Sequence, residues 1–83
     1  MQDEKTLIQN GNAAAKLLKD KSFNKVLNVM VEHLFSNFVN GTPEDDQARE
    51  AVYYQHRALH DIVGTMQQMV AVRDEINQKN ESN

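Results

Sequence analysis

The sequence predicts an all-α chain: an antiparallel helical hairpin with a kinked or broken N-terminal helical segment, assembling into an oligomeric helix bundle. The stretch Asn40-Gly41-Thr42-Pro43-Glu44-Asp45-Asp46 stops one helix and starts another within a few residues. A wide apolar stripe at helical spacing precedes it and a heptad-like seam follows it.

Taken in chain order, Leu7, Ile8, Ala13, Ala14, Ala15, Leu17 and Leu18 have helical composition. The stripe that follows, extrapolated backwards, lands on Asp20 and Lys16, so the phase slips near Asp20. We therefore expect a kink or short break at Asp20-Lys21-Ser22, with Ser22 capping the next helix and Gly11-Asn12 as a second weak point. Phe23, Val26, Leu27, Met30, Val31, Leu34, Phe35 and Phe38 then recur at intervals of three and four, the pattern of a core-facing helix.

Asn40 and Gly41 suit a helix C-terminus, since both tolerate the left-handed conformation common there. Thr42 reads as an N-cap and Pro43 as the first helical residue. Glu44, Asp45 and Asp46 favour the positive end of the helix dipole, and Asp45 completes a shortened capping box. On this reading Thr42→Ala costs about 1 kcal/mol. So short a connection makes the two helices antiparallel neighbours.

In the second long helix Val52, Leu59 and Met66 lie seven apart, as do Ile62, Met69 and Ile76, with Val63 and Val70 widening the seam and Arg73 interrupting it. No strong breaker follows Pro43, so this helix is expected to reach about Gln78, roughly 50 Å at 1.5 Å per residue. If the chain instead stays roughly collinear through Asp20, folding about the turn sets residue i against roughly residue 83 minus i, which brings Ala13 to Ala15 against Met69 and its neighbours. Residues 1–83 make one helical domain whose ends, 1–5 and 79–83, are expected to fray.

Hydrophobic content of 40% with 25% charged residues is ordinary for a water-exposed fold. Two helices along one seam bury little per residue, and area bookkeeping near this size comes close to zero once conformational entropy is subtracted. Without cysteine there is no disulfide, and no metal motif supplies a staple. Self-association is the remaining common remedy, and the candidate oligomer interface comprises Phe35, Phe38, Leu59, Ile62, Val63, Met66, Met69 and Val70. No signal peptide or membrane-spanning run is evident, so a cytoplasmic setting and no membrane contact are expected. The net charge of -3 is uneven: the part before Gly41 is nearly neutral and the remainder acidic.

Candidate chemistry is sparse. His56 and His60 share a helix face at a spacing zinc can use, but Arg57, Ala58 and Leu59 lie between them, so the metalloprotease glutamate is missing and a cation stands beside the site. Partly exposed structural histidines explain them better, and His33 is expected opposite about Glu50, too far away to help. Tyr53, Tyr54 and Arg57 form an aromatic and cationic cluster of the kind found at binding hot spots, and are the candidate partner contacts. The competing explanation has one tyrosine covering the core with its hydroxyl wet, and Arg57 pairing with Asp61. Lys16, Lys19, Lys21 and Lys25 are the only basic concentration. Asp20 sits among them, well placed for Lys16, and the acidic balance disfavours nucleic acid. Gly64 either admits another backbone or is a tolerated surface glycine. Met30, Met66 and Met69 read as core filler. No nucleophile has a positioned base and no pocket is implied, so no catalytic residue, metal or cofactor is expected and the chain reads as a non-enzyme.

The order Ala14-Ala15, Leu17-Leu18, Phe23, Val26-Leu27, Phe38, Thr42-Pro43 and Arg49-Glu50-Ala51-Val52-Tyr53-Tyr54 with Arg57-Ala58-Leu59 resembles small uncharacterised helical proteins of tailed bacteriophages, over about Ala14 to Val70. That resemblance implies a viral setting, in the host cytoplasm, and carries over no mechanism or ligand. The expected function is protein–protein contact by a homo-oligomer in phage particle assembly or packaging. The alternatives are a small phage inhibitor or anti-defence protein docking on a host enzyme, and a DNA-contacting packaging subunit whose lysines are gathered by oligomerisation.

Overall fold

The computed structural model describes residues 3–40 and 46–82. All of them except Asp3 and Asp20 are helical, in three helices: α1 (Glu4–Lys19), α2 (Lys21–Asn40) and α3 (Asp46–Ser82). The expected caps at Thr42, Pro43, Glu44 and Asp45 lie outside the described residues. Of the ends expected to fray, residues 4–5 and 79–82 lie in helix. α3 therefore runs four residues past the predicted Gln78.

Asp3 caps α1: its carboxylate accepts the Thr6 amide at 2.8 Å. This satisfies one of the donors that a helix start leaves unpaired. The bond favours the ionised carboxyl and lowers its pKa below the usual value.

The phase slip near Asp20 is a break confined to that residue, whose backbone is extended at φ -75° and ψ 125°. Asp20, not Ser22, caps α2: its side chain accepts the Phe23 amide at 2.8 Å. Both residue types can cap, and aspartate one turn before Phe23 fits the geometry because its own backbone is the one that leaves the helix. The Asn24 side-chain amide donates to the carbonyls of Leu18 at 2.8 Å and Asp20 at 2.9 Å, stitching the end of α1 to the start of α2. With its carboxylate used in this way, Asp20 forms no ion pair with Lys16 among the described residues, contrary to expectation.

Gly11-Asn12 is not a weak point; α1 is continuous through it. Gly11, Ala14 and Ala15, spaced three and four apart, are the buried face of α1, while Ala13 is exposed. The small residues let α1 lie close on α3. Glu4 meets Lys79 at 3.9 Å, and the Arg73 guanidinium donates to the Asn12 side-chain oxygen at 3.2 Å, so the two helices run antiparallel in about the register the sequence implied. Arg73 does not interrupt the seam. Its side chain, 22% exposed, lies along it and turns its guanidinium outward to Asp74 at 2.9 Å.

α2 continues along α3 in the same sense, Leu27 and Val31 lying near Leu59 and Val63, and Leu34 and Phe38 near Val52. His33 borders Gln55 and Leu59 rather than Glu50. Opposite α2 the pairing is therefore displaced along α3 by more than one helical turn from the expected register.

The result is a thin rod of 60 × 28 × 17 Å with a radius of gyration of 17.5 Å, where a globule of this length has about 12 Å. The only buried apolar side chains are Ala14 and Ala15 among the described residues.

Candidate docking surface

α2 is the most apolar of the three helices, yet it buries none of its residues. Its stripe is wider than a single partner helix can cover. Leu34 and Leu27 are half-buried against α3, while the flanks are exposed. On one flank Val31, Leu34, Phe35 and Phe38 meet Val52, Tyr53 and His56 of α3 around an apolar groove of about 420 Å³, with Glu32 at its edge. Phe35 is 66% exposed. Arg49 closes one end, its guanidinium lying 5.2 Å from the centre of the Phe38 ring. At that distance a cation and the negative face of the ring attract. Towards Asp20 the groove continues along Leu27, Asn28 and Val31 opposite His56, Leu59, His60 and Val63.

The opposite flank has Met30 and His33 of α2 against Gln55 of α3. Ile62 and Met69 follow Gln55 at intervals of seven, so they share that flank. The expected interface thus divides. Phe35 and Phe38 line the main groove, Leu59 and Val63 its floor further along, and Ile62 and Met69 stand on the other side, Ile62 58% exposed. Met69 borders a shallow hollow with Leu7 and Asn10 of α1. Met66 and Val70 are half-buried in the seam.

Of the expected partner contacts, Tyr53 and Tyr54 are both exposed, and their rings meet edge to face at 5.7 Å. Tyr53 forms part of the groove wall, as the core-covering explanation required of one tyrosine. The Tyr54 hydroxyl donates to Glu50 at 3.2 Å, and Arg57 pairs with Asp61 at 3.7 Å one turn on. Held on a helix surface, such a pair contributes little to stability but orients the guanidinium. His60 lies 4.0 Å from the same Asp61 carboxylate. Among the described residues no three histidine, aspartate or glutamate side chains converge as metal ligands. Lys16, Lys19, Lys21 and Lys25 are all exposed around the Asp20 break. Among the described residues no helix is long and apolar enough to cross a membrane.

Sequence reasoning set Val31 in the core-facing stripe and Val52 in the seam and took His56 as a partly exposed structural histidine in preference to a ligand, but placed none of the three in the groove. The signal was present in the width of the α2 stripe, since residues on its flanks must lie beside, not beneath, a single partner helix.

No known family of proteins matches this chain, and searches among curated proteins and solved structures likewise found none that is similar.

Proposed function

We propose that this chain is a non-enzymatic, homo-oligomeric helical protein that acts through protein–protein contacts, α1 and α2 forming one interrupted arm of a hairpin whose other arm is α3. The observation that carries the reading is the unburied apolar surface of α2. Burial of apolar surface is the dominant favourable term in folding, at about 25 cal/mol per Å², and a helix that forgoes it within its own chain gains it from another. The phage setting rests on the resemblance of Ala14 to Val70, and gives particle assembly or packaging as the task. Light scattering at micromolar concentration tests self-association: an oligomer is expected, and a stably folded monomer overturns the reading.

A second reading, docking on a host enzyme, is favoured by Tyr54, exposed outside the groove, with Arg57 one turn further along the same helix. Capture of one host protein from a lysate, lost on changing Tyr54 and Arg57 to alanine, would select it over assembly.

A further inference from the structure

We propose that the groove between α2 and α3 is the seat of the same groove of a second copy, the two arms pairing about a twofold axis into a four-helix bundle. This rests on the self-association reading and names its surface: Val31, Phe35 and Phe38 of α2 with Val52, Tyr53 and His56 of α3.

The first argument is area. The chain exposes 6759 Å², whereas a compact folded protein of its mass exposes about 5,000 Å². The surplus is about 1,700 Å² per chain, twice the ~800 Å² that each partner contributes to a standard interface. It lies within the range of obligate homodimers, whose interfaces resemble a domain core cut in half.

The second argument is where the surplus lies. At the α1 end Gly11, Ala14 and Ala15 bury themselves within one chain and bring α1 close to α3, and of the large apolar side chains Leu17 and Met69 stand exposed there. Along α2, by contrast, Val31, Phe35, Phe38 and Val39 are all exposed. More apolar surface is left uncovered at the α2 end of the rod than at the α1 end.

The third argument is charge. α2 carries Lys21 and Lys25 against Glu32, and the facing part of α3 carries Asp46, Glu50 and Asp61 against Arg49 and Arg57. Among the described residues of this end the two signs balance, although the chain as a whole is acidic. From Val26 to Asn40 Glu32 is the only aspartate, glutamate, lysine or arginine. A strongly charged partner finds little on this face to recognise, whereas the same apolar face of a second copy matches it. A twofold arrangement suits it because each copy offers the same patch to the other.

The experiment compares the full chain with Phe35→Glu and Ile62→Glu by light scattering and circular dichroism. The expected result is a wild type of twice the 9.5 kDa chain mass, F35E at the chain mass, and I62E still paired. Because Phe35 touches little within its own chain, its replacement acts mainly on the contact between copies. A wild-type oligomer that survives F35E and is lost in I62E overturns the proposed surface and leaves self-association standing. A monomeric, folded wild type overturns both, and means that another occupant fills the groove. Should F35E unfold, thiol labelling of F35C and I62C in the otherwise cysteine-free chain decides. Concentration-dependent protection at position 35 alone supports the proposal, and protection at position 62 alone refutes it.

Discussion

Gly11 lies directly beneath Arg73: a methyl group on the glycine would collide with the Arg73 Cβ and come within 2.7 Å of the Met69 carbonyl oxygen. In a helix interior glycine costs about 1 kcal/mol relative to alanine. That cost is offset here by the approach of two helices that no side chain could share, and the Arg73 stem fills the space above.

Gly11→Ala is expected to destabilise the chain despite the better helix propensity of alanine. Forcing a group into a packed contact typically costs about 1–3 kcal/mol, against which the propensity gain is about 1 kcal/mol. Urea or thermal denaturation should show a lower midpoint; a higher one would mean that the helices separate freely at this position.

Gly64→Ala is the counterpart. Nothing lies within 4 Å of the position its Cβ would take, so the propensity gain of up to about 1 kcal/mol should appear as a higher melting temperature. A fall in both melting temperature and oligomer mass would instead show that another backbone packs against Gly64.

Asp20→Ala removes the cap of α2 and should cost about 1 kcal/mol, most of it felt as lost helicity near Phe23. Ser22→Ala should be close to neutral by the same denaturation measurement, since Ser22 does not cap.

The carboxyl of Asp3 has its pKa lowered by the Thr6 amide. A group whose folded pKa is depressed contributes stability that is present above the unfolded value, about 3.9, and is lost as pH falls through the lower folded value. The Thr6 amide resonance should therefore titrate with a midpoint below the ordinary aspartate value, and D3N should abolish that titration while keeping the helix start. A midpoint at or above the ordinary value would show that the cap does not form.

Zinc should leave the melting temperature unchanged, because His56 and His60 find no third ligand among the described residues. A sharp rise on titration would place a shared metal between copies.

How much of this was legible in the sequence depends on whether one residue type has one meaning. The stripe from Phe23 to Phe38 and the phase slip at Asp20 follow from periodicity alone, and the helices and their break lie where periodicity puts them. Ser22 and Asp20 are both able caps, and only the backbone angles distinguish them. Gly11 reads as a weak point and as a place of close approach with equal ease, since the same missing side chain serves both. Arg73 reads as an interruption because its charge is visible in sequence and the packing of its aliphatic stem is not. That the residues of the expected interface fall on two flanks was illegible for a related reason: it depends on how far each helix is rotated about its axis, which spacing leaves open by a fraction of a turn.

The one-residue gap in the helical ladder at Asp20 has a bearing on how the rod comes apart. A continuous helix would tie the fates of its two halves together, whereas here each half has its own start and finish. Fraying of α2 from Asn40 backwards therefore has a place to stop, with α1 keeping its own cap at Asp3 and its own ties to α3 through Asn12 and Glu4.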